Sequence, residues 1–210
     1  MIVTLDGEQL DGLGSAEQTL QALIDRVRAE HLGERLVVSV ACDGEPVVGD
    51  ELTQRLGQPL GDVERVDLAS ANRRDLVVDA LREVAGRLEA AQANYAETAR
   101  DFHAGKMTEA ITGFAEFLTA WQLCQRVLLE CSTLLGEDLT AVECAGQPVR
   151  DHLNELADKL RELRDAFESR DAVLLSDFIQ YELPEICDRW QRVMAQLADH
   201  VQSGPQQPST

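Results

Sequence analysis

Basic residues are scarce in this sequence, and lysine is almost absent. Lys106 and Lys159 are the only lysines in 210 residues, and 19 basic side chains face 38 acidic ones, for a formal net charge of −19. A surface of this sign repels nucleic-acid phosphates and anionic lipid headgroups. The composition therefore predicts a protein that binds neither nucleic acid nor membrane. Acidic surfaces of this kind serve solubility, attract basic protein partners or imitate nucleic acid.

Long apolar runs are also missing. No stretch approaches the roughly 18 to 20 apolar residues that cross a bilayer, and Met1 does not begin the basic and apolar regions of a signal peptide. With 44% apolar residues, the chain has enough hydrophobic side chains for one large core or two small ones. We expect a cytoplasmic protein.

Cysteine pairs with disulfide or redox spacing are absent. The five cysteines are odd in number and none belongs to a C-x-x-C pair, so reduced and buried thiols are expected. Cys124 and Cys131 are seven positions apart on one predicted helical face and would supply half of a metal site. The sequence offers no second half, and both cysteines fit the apolar stripe of that helix equally well.

Signatures of catalysis and of cofactor binding are likewise absent. The glycines of LDGLGS, residues 10–15, lack the spacing of a phosphate-binding loop. Di-metal helical bundles need Glu-x-x-His on two helices, and the helical segment after residue 72 has only the reverse order, once, at His152 and Glu155. Cys144 and His152 would suit as nucleophile and base, but nothing in the sequence fixes their geometry. We predict no cofactor and favour a protein that is not an enzyme.

The first seventy residues show strand patterns around one helix. Ile2–Leu5 and Glu8–Leu10 flank Asp6-Gly7, a pair that readily adopts the positive φ angles of a type I′ turn. Ser15 is the expected N-cap of the following helix, and Gly33 ends it.

Three further strands are predicted before residue 71. Leu36–Cys42 is apolar on both faces, as in a central strand, and Asp43-Gly44 turns it into a short partner at Pro46–Val48. An irregular stretch, residues 49–61, precedes a last strand at Val63–Ala69. This order of hairpin, helix, hairpin and strand resembles the β-grasp, and the segment is similar to a ubiquitin-like domain. Conjugating members of that family end in a free Gly-Gly tail, whereas this chain continues into a helix, so the resemblance does not imply conjugation.

From residue 72 the apolar period changes to three or four, which predicts four helices. The first is expected to be one continuous helix of about 45 Å. Short connections at Ala104-Gly105 and Ser169-Arg170 favour an antiparallel arrangement. Each helical hairpin also has a phenylalanine shortly before its turn and a tryptophan on the returning helix, a weak sign of duplication. These residues are Phe102 and Trp121 in the first hairpin and Phe167 and Trp190 in the second.

The predicted fold class is α+β, with two domains and a tail. Residues 1–71 form a β-grasp-like domain, and residues 72–203 form an antiparallel four-helix bundle with a short β-hairpin between its second and third helices. Residues 204–210 have nothing to bury and are predicted to be disordered.

One eight-residue pattern occurs in both domains. VECAGQPV at Val142–Val149 nearly repeats VACDGEPV at Val40–Val47, and VTLDGEQL at Val3–Leu10 is a looser copy. An extended run, a glycine-containing turn and a second short run make a hairpin. One interpretation is that the likeness is a coincidence, because few residue types suit such turns. Alternatively, residues 141–149 form a β element that pairs with the N-terminal sheet or with the same segment of a second subunit.

The densest acidic segment surrounds Pro184. Proline removes a helical hydrogen bond, so the fourth helix is expected to kink or restart there. Carboxylates beside a kink hold a cation, act as an acid and base, or form a solvated face. The candidate metal ligands are Asp177, Glu182, Glu185 and Asp188.

The second predicted helix is apolar over more than one face, because Leu123, Val127 and Leu134 widen its stripe. Part of this face is expected to be covered by a second subunit or by a client helix. The predicted interaction residues are Phe114, Phe117, Trp121, Leu123, Val127, Tyr181 and Trp190.

These observations predict a non-enzymatic interaction module, such as an adaptor, assembly or chaperone-like protein. A homodimer formed through the helical domain is the preferred state, and a basic or helical protein is the expected partner. The alternative is a carboxylate-based metal-binding protein or enzyme using the cluster around Pro184. Bacterial secretion and flagellar chaperones are also small acidic helical proteins, an analogy that rests on composition alone.

Overall fold

The computed structural model of the protein describes residues 1–13, 18–169 and 171–204, without the side chains of Met107 and Ala172. It is a mixed α+β fold in which an N-terminal sheet precedes a series of helices. Two compact units divide the chain, Met1–Leu76 and the segment from Val77 onward, and each has its own apolar core. The sequence places the boundary at residue 71, a few positions earlier.

The sheet of the N-terminal unit contains β1 (Ile2–Leu5), β2 (Glu8–Leu10), β3 (Arg35–Cys42), β4 (Glu45–Pro46) and β5 (Arg65–Asn72). Their order across the sheet is β2-β1-β5-β3-β4. β1 and β5 are parallel, and the other neighbouring strands are antiparallel. The Asp-Gly turns therefore join neighbouring antiparallel strands, as the sequence predicts.

Helix α1 (Leu20–Val27) follows the first hairpin. Thr19 caps it, with Oγ1 accepting a hydrogen bond from the Ala22 N–H at 3.2 Å. The predicted N-cap, Ser15, lies outside the described residues. A π-helical turn, Arg28–Leu32, extends the helix to Gly33, whose φ of 56° ends it as predicted.

Helix α2 covers Gly49–Leu56, so the prediction of an irregular stretch over residues 49–61 was wrong for its first eight residues. Glycine and proline flank this segment instead of interrupting it. Acidic residues in its first turn and Arg55 in its last complement the helix dipole, and Glu51 pairs with Arg55 at 3.4 Å. Every residue of α2 stays at least partly exposed, so the segment lacks the buried apolar stripe by which a helix is recognised.

Strand β3 departs from the predicted central strand at Val38. Its pairing with β5 shifts between Val37 and Ser39, which makes Val38 an extra residue in the ladder. Val38 is 50% exposed, and β5 takes the centre of the sheet. The run of apolar residues in β3 therefore does not mean that both faces of the strand are buried, because Val38 lies at a bulge and is exposed.

The described part of the helical unit contains six helices where four were predicted. They are α3 (Arg73–Gln92), α4 (Tyr95–His103), α5 (Met107–Leu135), α6 (Val149–Ser169), α7 (Ala172–Asp177) and α8 (Leu183–Ser203). The prediction of one continuous first helix was wrong, because the chain turns at Ala93-Asn94. The Asn94 N–H bonds only three residues back, to Ala91 O at 3.3 Å. Asparagine favours such helix ends, since its short polar side chain competes with helical hydrogen bonds.

A π-helical turn, Phe178–Glu182, joins α7 to α8 beside Pro184. The Leu183 N–H donates to Phe178 O, five residues back. Pro184 follows at the start of α8, where its missing N–H is tolerated. The predicted restart of the helix at Pro184 is confirmed in this form.

The aromatic residues that suggested a duplication meet in the core of the helical unit. Phe102 and Phe167 pack edge to face with ring centroids 5.8 Å apart. Trp121 and Trp190 do the same at 5.0 Å. The two helical hairpins therefore contact each other through matching positions, a favourable geometry for aromatic pairs.

Some of the predicted connections and the predicted tail are only partly covered by the described residues. The connection Ala104-Gly105 is present, with Gly105 at a φ of 71°. Of the predicted connection Ser169-Arg170 only Ser169 is described, and of the predicted tail, residues 204–210, only Gly204. Throughout the described part of the chain, every helix is too short or too polar to cross a membrane.

Candidate interaction groove

A hairpin between α5 and α6 is formed by β6 (Glu143–Cys144) and β7 (Gln147–Pro148). The two strands pair with each other and make a separate two-stranded sheet. The residues on either side of the turn pair in the same register as Cys42 and Glu45 of the N-terminal octamer. The repeated octamer is therefore a repeated hairpin.

The turn of this hairpin is Ala145-Gly146, with φ angles of 50° and 93°. Positive values at both residues are what a type I′ turn requires. An alanine in this region is uncommon, because its Cβ crowds the backbone. The Ala145 N–H donates to Gln196 Oε1 on α8 at 2.6 Å, so a tertiary hydrogen bond holds the turn in place.

His152 fastens the hairpin to α6. The residue is only 2% exposed, and Gln147 Nε2 donates to its Nδ1 at 3.0 Å. This assigns the ring proton to Nε2, which donates to Cys144 O at 2.8 Å. Burial raises the pKa of the Cys144 thiol to about 11. The imidazole thus binds the cysteine's carbonyl, and the protonated thiol is not a nucleophile at neutral pH.

A groove, the α6–α8 groove, runs along α6 between that helix and the α7–α8 segment. It consists of three cavities of about 470, 320 and 370 Å³. His152 lines the first two and Glu182 the last two, so the cavities adjoin. From His152 to Ser169 the groove follows α6 for about 25 Å. Apolar side chains form its floor: Leu156, Leu163, Phe178, Ile186 and Trp190.

Carboxylates line the edges of the α6–α8 groove. On α6 they recur every three or four positions and so share one helical face; those that line the cavities are Glu155, Asp158, Glu162 and Asp165. Glu182 and Glu185 line the opposite edge. The groove therefore combines an apolar floor with a rim of carboxylates on both sides.

Three basic residues line the groove, fewer than its carboxylates. Arg189 donates to Glu155 Oε2 at 2.6 Å, and Arg192 donates to a backbone carbonyl of its own helix. Lys159 Nζ reaches across to Glu182 at 2.8 Å and pairs with Glu162 at 2.9 Å. Hydrogen bonds to Glu182 and then Glu162 raise the pKa of Lys159. Lys159 and Arg189 thus join the two sides. On α6, Arg161 pairs with Asp158 at 2.6 Å and Arg164 with Asp165 at 2.8 Å. The carboxylates of the rim still outnumber its basic residues, although most of them are already in exposed ion pairs.

The four carboxylates predicted as a cluster around Pro184 are divided by the structure. Glu182 and Glu185 line the groove, whereas Asp188 Oδ1 accepts a hydrogen bond from Gln92 Nε2 of α3 at 3.0 Å. Asp177 is exposed and lines none of the three cavities. Within residues 1–13, 18–169 and 171–204, no three His, Cys, Asp or Glu side chains come close enough to hold a metal ion.

The predicted interaction residues fall into buried and exposed groups. Four are buried in the core of the helical unit: Phe114, Phe117, Trp121 and Trp190. Leu123 and Val127 are half-buried and pack against the same core. Tyr181, on the π-helical turn, is 61% exposed. Much of the wide apolar stripe of α5 is therefore covered within the chain.

The thiols belong to the two cores. All five cysteines are buried and unpaired, as predicted. Tyr95 Oη and Cys187 Sγ lie 2.9 Å apart in the core of the helical unit. Burial raises the pKa of Cys187 to about 11 and that of Cys124 to about 12, so both thiols stay protonated at neutral pH.

The α6–α8 groove was not predicted from the sequence. A signal was present in the spacing of the α6 carboxylates beside Leu156 and Leu163. Carboxylates at this spacing are usual on solvated helical faces. Only the position of α8 alongside α6 turns that face into the edge of a groove.

Comparison with known proteins connects the helical unit to a protein family. The model of a domain of unknown function, DUF8042, matches residues 79–193, which include α5, α6 and most of the groove. The chain is also similar to an uncharacterized protein of Treponema pallidum (strain Nichols), with 26% identity over 189 residues that cover 89% of this chain and 92% of that protein. None of the solved structures matches the chain. Because the family model covers more than half of its residues, the chain belongs to the DUF8042 family.

Proposed function

We propose that this protein is a non-enzymatic interaction module whose α6–α8 groove binds an amphipathic helix with basic flanks from another protein. The observation that carries this proposal is the apolar floor and carboxylate rim along about 25 Å of α6. An adaptor, assembly or chaperone-like role follows, because such proteins work by presenting a surface and not by chemistry. We further propose that the protein self-associates through its helical unit.

The proposal extends to the finer architecture of both units. For the N-terminal unit we propose a β-grasp, supported by the strand order and by a helix that follows the first hairpin. For the helical unit we propose an antiparallel four-helix bundle in which α3 with α4, and α7 with α8, each count as one interrupted helix. The short connection at Ala104-Gly105 supports this arrangement.

The spacing of residues along the groove indicates which kind of helix it would bind. Leucine or phenylalanine side chains at every third or fourth position of a bound helix would fill the apolar floor. The carboxylates of α6 recur at the same interval, so lysine or arginine at the flanking positions of that helix would lie beside them. This is the charge pattern that selects partners in coiled coils.

The partner is expected to be a different polypeptide. A second copy of this chain carries the same net charge of −19 and would meet an acidic rim with a mostly acidic surface. A basic helix is attracted to the same rim. Five unpaired buried thiols support a reducing, cytoplasmic setting for this encounter.

A designed peptide tests the groove directly. A labelled amphipathic helix of leucine and lysine, about 18 residues long, would match the length of the groove. We expect it to bind in fluorescence anisotropy, and the same peptide with glutamate for lysine to fail. Reversing two rim charges, Glu162→Lys with Asp165→Lys, should raise the dissociation constant about tenfold or more.

The matched control reverses two exposed carboxylates of α3, Asp79→Lys with Glu89→Lys, neither of which lines the three cavities. Both double variants have the same net charge. If they weaken binding equally, the peptide responds to total charge and the groove is not its site. Binding that the α3 variant retains and the α6 variant loses supports the groove.

A further inference from the structure

The two ends of the α6–α8 groove differ in charge. The cavity beside the β6–β7 hairpin, here called the hairpin end, is lined by two arginines and one carboxylate: Arg189, Arg192 and Glu155. The cavity beside the last turns of α6, here called the far end, is lined by three carboxylates, Glu162, Asp165 and Glu182, and by none of the described basic residues. The charge of the groove therefore changes sign along its length of about 25 Å.

Side chains of α8 present hydrogen-bond donors at the hairpin end. Arg192 donates through Nε to a carbonyl of its own helix at 3.2 Å, which leaves the terminal nitrogens of its guanidinium for a ligand. Gln196 Oε1 accepts the Ala145 N–H at 2.6 Å. This bond turns the amide oxygen toward the hairpin and leaves Nε2 as a donor.

The carboxylate that lines the hairpin end is already compensated. Glu155 Oε2 accepts a hydrogen bond from Arg189 at 2.6 Å, and Glu155 Oε1 accepts one from Gln147 Nε2 at 2.9 Å. Because Glu155 and Arg189 neutralise each other, Arg192 supplies the excess positive charge of this end.

At the far end, carboxylates outnumber the basic side chains that pair with them. Lys159 pairs with both Glu162 and Glu182, at 2.9 and 2.8 Å. Arg164 lies 2.8 Å from Asp165 and 3.8 Å from the last carboxylate of α6. Two positive charges thus face four carboxylates, so this end keeps an excess of negative charge and of hydrogen-bond acceptors.

The two ends of an α-helix differ in the same way. The first four N–H groups and the last four C=O groups have no partner within the helix. The macrodipole places partial positive charge at the N-terminus and partial negative charge at the C-terminus. Carboxylates therefore favour a helix N-terminus, and guanidinium groups favour a C-terminus. A bound helix of about 17 residues spans 25 Å, so its two ends would lie at the two ends of the groove.

We infer that the groove binds its partner helix in one direction, antiparallel to α6, with the C-terminal end of that helix against Arg192 and Gln196. The inference rests on the proposed function of the groove, for which it names the direction of the partner. The N-terminal end of the bound helix then meets the carboxylates of the far end. The opposite direction would set N–H groups against Arg192 and carbonyl oxygens against carboxylates. A helix that ends its own chain fits best, because its free carboxylate adds a full negative charge beside Arg192.

Energy transfer between a donor on the protein and an acceptor on the peptide measures the direction. The donor is attached to Glu168→Cys at the far end or to Glu143→Cys at the hairpin. Both glutamates are exposed and line none of the three cavities, and both changes remove one negative charge. The five native thiols are buried, so the dye reacts with the introduced thiol, and wild-type protein treated with the same dye gives the background.

The probe is the leucine–lysine peptide with an acceptor at its N-terminus. We expect stronger transfer from position 168 than from position 143. Moving the acceptor to the C-terminus of the peptide should reverse that order. The reversal distinguishes a fixed direction from a difference between the two donor sites.

Amidation of the peptide C-terminus tests the contact with Arg192. Loss of the carboxylate charge should weaken binding to the wild-type protein about threefold or more in fluorescence anisotropy, and should have no effect on binding to Arg192→Gln. The matched control is Arg100→Gln on α4. Arg100 is exposed and, like Arg192, donates through Nε to the carbonyl four residues back, so amidation should weaken binding to this variant as it does for wild type.

A wrong direction and a wrong groove give different results. A peptide that does not bind, or that responds equally to the α6 and α3 charge reversals, overturns the proposed function and the direction with it. Equal transfer from positions 143 and 168, or transfer in the opposite order, overturns the direction while the function of the groove stands. An equal effect of amidation on Arg192→Gln and Arg100→Gln overturns the contact between the helix end and Arg192.

Discussion

The hairpins at Val40–Val47 and Val142–Val149 have the same backbone conformation but are stabilised by different hydrogen bonds. In the N-terminal unit, Asp43 at the first turn position accepts the N–H groups of Glu64 and Arg65 at 3.0 and 2.8 Å, which ties the turn to the sheet. In the helical unit the same position is Ala145, which has no side-chain acceptor, and its N–H donates to Gln196 instead.

The difference shows how one local pattern serves two tertiary settings. The glycine-containing turn and the paired residues around it produce the hairpin in both places. The N-terminal copy is completed by a third strand, β5, through backbone pairing. Among the described residues the second copy forms a sheet of two strands, and side chains of His152 and Gln196 hydrogen-bond to it. Each copy should therefore fail in its own way when its supports are removed.

The largest effect is expected at His152. Replacing it with alanine leaves a cavity and removes the ring's hydrogen bonds to Cys144 O and Gln147 Nε2, and should lower the free energy of unfolding of the helical unit by about 3 kcal/mol. Denaturant unfolding followed by tryptophan fluorescence reports this, because both tryptophans lie in the helical unit. Asp50 lies three residues after the N-terminal octamer, as His152 does after the second one, and it is exposed, so Asp50→Ala should cost less than about 0.5 kcal/mol. Comparable losses at the two positions would contradict the contrast between the hairpins.

The next effect is expected at Asp43. Asp43→Ala removes the acceptor of two N–H groups and puts alanine at a φ of 51°. The N-terminal unit should lose about 2 kcal/mol, measured by hydrogen exchange of the β5 amides. Glu45→Ala, an exposed change just after the same turn, is the control and should leave that exchange unchanged. Exchange that stays slow in Asp43→Ala would show that backbone pairing alone holds this hairpin.

A smaller effect is expected at Gln196. Gln196→Ala removes the acceptor of the Ala145 N–H, and water replaces it because the turn is exposed. The helical unit should lose about 1 kcal/mol by tryptophan fluorescence. Gln196→Glu keeps an acceptor oxygen and should retain most of that stability. A loss in the glutamate variant as large as in the alanine variant would assign the effect to packing.

Ala145 itself offers a gain. Ala145→Asn relieves the positive φ, which asparagine tolerates better than alanine, and should stabilise the helical unit by about 0.5 kcal/mol. Ala141→Asn, another exposed alanine near the hairpin, is the control and should give no gain. Equal gains at both positions would mean that turn strain is not the cause.

The smallest effect concerns acid and the first hairpin. Hydrogen bonds from the Ser70 N–H and hydroxyl hold the pKa of Asp6 below its usual value. A lowered folded-state pKa means that this stabilisation is present above the unfolded pKa and is lost as pH falls through the folded one, below about pH 4. Asp6→Asn should flatten the loss of N-terminal stability in that range, followed by circular dichroism. An unchanged acid profile would show that the carboxylate contributes through geometry alone.

Local patterns predicted the elements whose cause is local. The Asp-Gly and Ala-Gly turns, the stop at Gly33 and the restart at Pro184 each depend on a few consecutive residues and were found where expected. Helix α2 was missed because its surroundings are rich in glycine and proline, and the break at Asn94 because the apolar period continues across it. In both segments the spacing of apolar residues does not indicate the backbone conformation.

The interaction residues show the same limit at the level of side chains. Because Phe114 and Trp121 are hydrophobic, they were predicted to contact a second protein. In the structure they are buried in the core of the helical unit. Ile111 and Leu129, which stay exposed, belong to the same helix and were not singled out. Hydrophobicity predicts that a residue tends to be buried, but it does not indicate which surface buries it.

By itself the sequence determined the change from strand to helical periodicity, the repeated hairpins and the acidic surface, because each follows from residue types and spacing along a short stretch. Only the tertiary structure decided that α8 lies beside α6, that a row of carboxylates becomes the rim of a groove, and that one side of α5 remains uncovered. These features depend on which elements pack against one another, and packing is settled by contacts between residues far apart in the chain.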